Sequence, residues 1–132
     1  MTEMISFLSE EWLTEFAKSG SALPKQKGIN GSFRFVFTAT PHGKVQFHFL
    51  IKDGQIKELI QGPGDDVDAV VTWRYPNAVS YFFGHVKWDV SYMSGQSKAE
   101  GNYVRYIYDM QPVFGSGSWD VLLAEIAEKS FS

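Results

Sequence analysis

The chain has 132 residues, 44% hydrophobic and 20% charged, with a net charge of −3 and no cysteine. That length fits one domain over residues 1–132, and the missing thiols exclude disulfides, thiolate metal sites and cysteine nucleophiles. The basic residues are scattered rather than striped, which argues against nucleic acid. No run approaches the ~18 apolar residues of a membrane span, and the acidic opening segment lacks a signal-like core, so a cytoplasmic protein without stable membrane insertion is expected.

The first helix is capped by Ser9, opens on Glu10 and Glu11, and shows Trp12, Leu13, Phe16 and Ala17 on one face. Gly20 is expected to end it. Residues 20–31, with Gly20, Pro24, Gly28 and Gly31, read as a connector. Phe33, Phe35, Phe37 and Ala39 then alternate with polar or smaller neighbours, as a strand does, and Pro41-His42-Gly43 turns the chain. Val45, Phe47, Phe49 and Ile51 form the apolar row of a second strand, which is expected to face the helices. Asp53-Gly54 is a strong two-residue hairpin signal, because both positions need positive φ. Residues 55–61 return as a third strand, the loop Gly62-Pro63-Gly64-Asp65-Asp66 breaks the pattern, and Asp68 to Trp73 is a fourth strand.

The second half reads as mostly helical. Pro76 opens a helix through Phe82 and Phe83 that Gly84 stops. Asp89 is expected to cap a short helix stopped by Gly95, and residues 96–101 form a brief strand. Asn102 is expected to cap a helix over 103–113 whose apolar groups are Val104, Ile107 and Tyr108. After Gly115-Ser116-Gly117-Ser118, the residues Trp119, Leu122, Leu123, Ile126 and Ala127 follow the helical apolar rule. Hairpin-linked strands with helices gathered at one end give an α+β class: a mostly antiparallel sheet covered on one face by helices.

Catalytic and metal signatures are thin. His42, His48 and His85 make no i, i+4 pair, and a structural or surface role is the better reading of each. The GSGS run lacks the spacing of a nucleophile elbow. The Gly62-Pro63-Gly64 turn is followed by two aspartates that would repel a phosphate. Asp89 and Glu100 are the carboxylates with a claim to acid–base work, were they to lie near an apolar interior; a cap and a solvated turn are the plainer readings. No cofactor motif or metal site is found. The residual feature is aromatic excess, 16% of the chain, which fills a core or lines a pocket.

The stretch from Asp68 to Asn102 resembles the sterol carrier protein type 2 family. The residues that carry the likeness are DAVVTW at 68–73, the helix at 76–83 with Gly84, Met93-Ser94-Gly95, the strand Gln96 to Glu100, and Gly101-Asn102. The Asp53-Gly54 hairpin and the Gly62-Pro63 loop also suit it. Gln96, Ser97 and Asn102 stand where lysine, an apolar residue and aspartate are common. The resemblance implies a five-stranded sheet with an apolar tunnel under the helices that takes a sterol, fatty acid, acyl-coenzyme A or similar lipid. The walls expected are Phe47, Phe49, Tyr81, Phe82, Met93, Ile107, Trp119, Leu122 and Leu123, with the last helix as lid. The alternatives are a small enzyme using the same shielded space, or a non-catalytic partner subunit; a protein partner or dimer stays open.

Overall fold

The computed structural model describes residues 4–64 and 66–132; Asp65 of the expected loop and the first three residues lie outside it. Strand β1 (Ile5–Ser6) precedes helix α1 (Glu10–Ser21). Strands β2 (Gly31–Thr40), β3 (Gly43–Lys52), β4 (Gln55–Gln61) and β5 (Ala69–Arg74) lead to α2 (Tyr75–Phe82), α3 (Trp88–Met93) and β6 (Ser97–Gly101). A π-helical segment (Arg105–Asp109), α4 (Gln111–Phe114), α5 (Gly117–Glu128) and β7 (Ser130–Phe131) complete the chain.

Five strands form one sheet in the order β4-β3-β2-β5-β6, and β1 pairs separately with β7. The expected meander β2-β3-β4 is antiparallel, whereas β5 joins β2 in parallel and β6 returns antiparallel to β5. Asp53 and Gly54 both take positive φ, 50° and 79°, as a tight hairpin requires. The connector docks on that turn: Gln26 N–H donates to Asp53 O at 2.7 Å and Gly28 N–H to the Asp53 carboxylate at 3.0 Å. The period-two row Val45, Phe47, Phe49 and Ile51 is buried under the helices with Phe33, Phe35, Phe37, Val71 and Trp73, while Gln46 and His48 look outward.

Three helix boundaries differ from the sequence reading. Gly20 does not end α1; it lies inside the last turn, buried, where an added Cβ would sit 2.3 Å from Ile56 Cδ1. The residue is glycine because α1 closes directly onto β4. Asp89 is not the cap of α3: Lys87 holds that position and the helix starts at Trp88, so Asp89 stands in the first turn and accepts from Val90 N–H. The single helix expected over 103–113 is two pieces. Asn102 Oδ1 does accept from Arg105 N–H, but Pro112 cannot donate, and its ring would clash with the Tyr108 carbonyl in a continuous α-helix. The chain widens instead, with Met110 N–H reaching back five residues to Arg105 O. The buried face becomes Tyr106, Met110, Val113 and Phe114, and Val104 and Tyr108 turn to solvent.

Helix α5 is held more firmly than a lid after a glycine-serine break would be. Ser116 caps it by accepting from Trp119 N–H. Its far end runs into β7, paired with β1 in register Ile5↔Ser130 and Ser6↔Phe131, and Lys129 pairs with Glu15 of α1 at 3.3 Å.

Candidate ligand site

The sheet face and the helices meet in an interlocked layer of rings. Phe82 on α2 lies within 4.9–6.4 Å, centroid to centroid, of Phe7, Trp12, Phe16, Phe35, Phe37, Trp73 and Tyr81. Phe114 links Phe33 and Phe49 to Trp119. One polar contact crosses this layer: Trp119 Nε1–H donates to the Tyr81 hydroxyl at 2.7 Å. The indole and phenol thus bury their polar atoms against each other, linking α5 to α2.

Of the expected wall residues, Phe47, Phe49, Tyr81, Phe82 and Trp119 come together in this closed layer, where they touch one another rather than an open space. Leu122 and Leu123 are buried beneath α5. Ile107 is half-buried elsewhere, in a shallow groove beside β6. Met93 is 78% exposed and stands outside the interior: α3 ends there, and only Trp88 and Ser91 of that helix are buried.

A concave surface lies instead between the end of α1 and the outer side of α5. It is an open groove of about 710 Å³, within the range typical of small-molecule sites. Ala22, Leu23 and Pro24 form one apolar wall, Val121 and Leu122 the other, and Lys18, Glu15, Glu125 and Lys129 stand at the rim. Glu15 and Lys129 neutralise each other; Lys18 has no ion-pair partner among the described residues. Only Leu122 of this surface was anticipated. The available signal was Val121, an apolar residue off the buried face of the last helix and 55% exposed.

The groups considered for proton transfer do not reach either place. Asp89 and Glu100 are exposed, Glu100 beside Lys98 at 3.9 Å. His42 and His85 are exposed, and His48 lies on the outer sheet face, its Nδ1 3.1 Å from the Gly62 carbonyl. Among the described residues no group of three or more His, Cys, Asp or Glu is placed to hold a metal, and no helix is long and apolar enough to cross a membrane.

Two buried phenols tie the layer to pH. Burial raises the Tyr81 pKa well above its ordinary value; the Tyr106 charge adds to this and the Trp119 hydrogen bond opposes it. Burial raises Tyr106 as well, with the neighbouring Trp88 indole offsetting part, although the two side chains do not meet in hydrogen-bonding geometry. Above about pH 10 the unfolded chain loses phenol protons that the folded chain keeps. The unfolded state then binds fewer protons, so stability falls as pH rises. Between about pH 9 and pH 11 two such groups together lower the stability by about 2.7 kcal/mol. Urea unfolding at the two pH values measures the drop, and Tyr106→Phe is expected to remove about half of this contribution.

No model of a known protein family matches the chain. No curated protein matches it either. Solved structures do. Over 96% of both chains it is similar, at 12% identity and a TM-score of 0.69, to a conserved hypothetical protein of Thermus thermophilus for which a sterol carrier role has been suggested. It is similar to sterol carrier protein 2 at 12% identity and a TM-score of 0.68, over 93% of this chain and 98% of that one. The palmitated SCP2L2 of Aedes aegypti matches at 17% identity and a TM-score of 0.58, over 94% and 98%. With that sheet order, those helices on one face and likeness along nearly the whole chain, the protein has the fold of sterol carrier protein 2.

Proposed function

We propose that the protein binds a hydrophobic small molecule with a single long alkyl chain, and that the chain lies in the groove between α1 and α5. The observation that carries this reading is the groove itself: an apolar trough of about 710 Å³ with a lysine at its rim, in a fold shared with a palmitated protein. Each methylene taken from water contributes about 0.8 kcal/mol, so roughly fifteen of them, about 12 kcal/mol, offset an association cost of about 4 kcal/mol and leave micromolar binding. Lys18 suits a carboxylate head. Nothing in this arrangement calls for chemistry on the bound molecule.

The test is palmitate binding by calorimetry and native mass spectrometry. Val121→Lys and Ala22→Trp are both changes at exposed positions that leave the ring layer untouched. Each is expected to weaken binding at least about tenfold by charging or filling the trough. Failure of the wild-type protein to take up palmitate, acyl-coenzyme A or sterol overturns the carrier reading. Uptake that ignores both substitutions overturns the location. The closed aromatic interior favours a second reading, a partner subunit that works through its surface; absence of lipid uptake is the result that reading expects.

A further inference from the structure

Strand β6 ends the sheet on the side away from the groove, and among the described residues no strand pairs with its outer edge. Asn102 N–H donates to Asp68 O at 2.8 Å, and the register Val70↔Glu100, Thr72↔Lys98 continues from that pair. Hydrogen-bonded residues alternate along an antiparallel ladder. Glu100 and Lys98 therefore turn their backbone groups toward β5, and Ser97, Ala99 and Gly101 turn theirs outward. Among the described residues no backbone hydrogen bond joins these three to a further element.

Two more observations attach to this edge. Lys98 and Glu100 project from the helix-free face with side chains 77% and 64% exposed. On the helix-covered face a groove of about 320 Å³ runs beside the strand between Tyr92, Tyr103 and Ile107. Around it Met93, Tyr103, Val104 and Tyr108 are 78%, 52%, 46% and 67% exposed. Tyrosine and methionine exposed together, beside an unpaired strand, mark an interface more than a solvated surface.

The geometry points to a two-fold homodimer in which β6 pairs antiparallel with β6 of a second copy, centred on Ala99. The sequence of the strand, Ser-Lys-Ala-Glu-Gly, is complementary to itself in that register. Ala99 faces Ala99 of the second copy, both with outward backbone groups, and the two exchange N–H···O bonds. Lys98 stands opposite Glu100 of the second copy, and Glu100 opposite its Lys98. These are non-hydrogen-bonded positions, where side chains approach most closely. A one-residue slip would set outward backbone groups against inward ones; a two-residue slip would break both charge pairs. The two-fold axis runs perpendicular to the sheet, so both helical layers lie on the same face and the two tyrosine-lined grooves confront each other. A stable dimer needs about 800 Å² buried per partner, more than five strand residues supply, and the exposed Met93, Tyr103, Val104 and Tyr108 make up the remainder.

Analytical ultracentrifugation of the full chain over a wide concentration range tests this. The wild-type protein is expected to show a reversible monomer–dimer equilibrium. Lys98→Glu and Glu100→Lys each replace two opposite-charge pairs by two like-charge pairs. Each is expected to raise the dimer dissociation constant roughly tenfold to a hundredfold. Mixing these two variants restores pairing as a heterodimer, and the doubly reversed K98E/E100K chain restores it as a homodimer. Ala99→Pro removes an N–H that β5 does not use, so it is expected to give a monomer with unchanged circular dichroism. A wild-type chain that stays monomeric throughout overturns the proposal, whether or not the patch binds an extended peptide or phosphatidylcholine vesicles. A dimer indifferent to both charge reversal and Ala99→Pro also overturns it.

Discussion

Phe82→Ala is expected to lower the unfolding free energy by about 3–5 kcal/mol, the range for truncating a fully packed aromatic. Phe82 is 2% exposed and touches rings from the segment before α1, from α1 itself, from β2, from β5 and from its own helix. No single neighbour can move into the space left, because each is fixed by others: Trp12 stacks on Phe16 at 5.1 Å and Trp73 on Tyr81 at 4.8 Å. A domain has about 5–15 kcal/mol in total, so the loss corresponds to roughly 10–20 °C in Tm for a chain of this length. Urea denaturation measures it. The result also bears on the interior. If Phe82 instead bordered a space that lipid normally occupies, truncation would cost under about 1 kcal/mol and added palmitate would raise Tm more in the variant than in the wild type.

Gly20→Ala is expected to destabilise by about 1–3 kcal/mol, against the direction of intrinsic helix preference, which favours alanine by about 1 kcal/mol. The opposition is steric. The new Cβ would meet Ile56 at Cδ1, Cγ1 and Cβ, at 2.3, 2.7 and 2.9 Å. A rotamer change would move the outer atoms but not the Cβ, so α1 must lift from β4. Ile56→Ala alone leaves a cavity and costs about 2–5 kcal/mol. The double variant is expected to be more stable than the sum of the two losses, because each change makes room for or fills the other. Additive losses in the double-mutant cycle would show that α1 does not depend on this contact.

These results mark where the sequence was legible. The meander was readable because its signals are local: the alternation of Val45, Phe47, Phe49 and Ile51, and a turn whose residues Asp53 and Gly54 both take positive φ. Gly20 looked like a helix stop because the partner that explains it, Ile56, is far away in sequence. The break near Pro112 was hidden by continuous apolar periodicity, which registers a face but not a change of pitch. Phe47, Phe49, Tyr81, Phe82 and Trp119, expected to wall a cavity, are packed ring against ring instead; periodicity cannot tell a packed face from a cavity wall. Met93 illustrates the limit in the other direction: methionine suits a pocket, but the short helix carrying it buries Trp88 and Ser91 instead. The groove escaped because three of its apolar residues, Ala22, Leu23 and Pro24, follow the end of α1, where no pattern repeats.

The pairing of β1 with β7 has a consequence for how the chain is made. Ile5 waits for Ser130, Phe7 for Tyr75 and Phe82, and Phe16 for Trp119. Synthesis delivers residues at about 5–20 per second, so the aromatic groups of the first helix spend several seconds outside the ribosome before their partners exist. Trp12 lacks Phe82 until α2 emerges, and Phe16 lacks Trp119 until α5 emerges, so both rings stay partly uncovered on the nascent chain. Exposed aromatic groups of this kind are what a chaperone holds on a nascent chain, and the docking of α5 on α1 is what covers them.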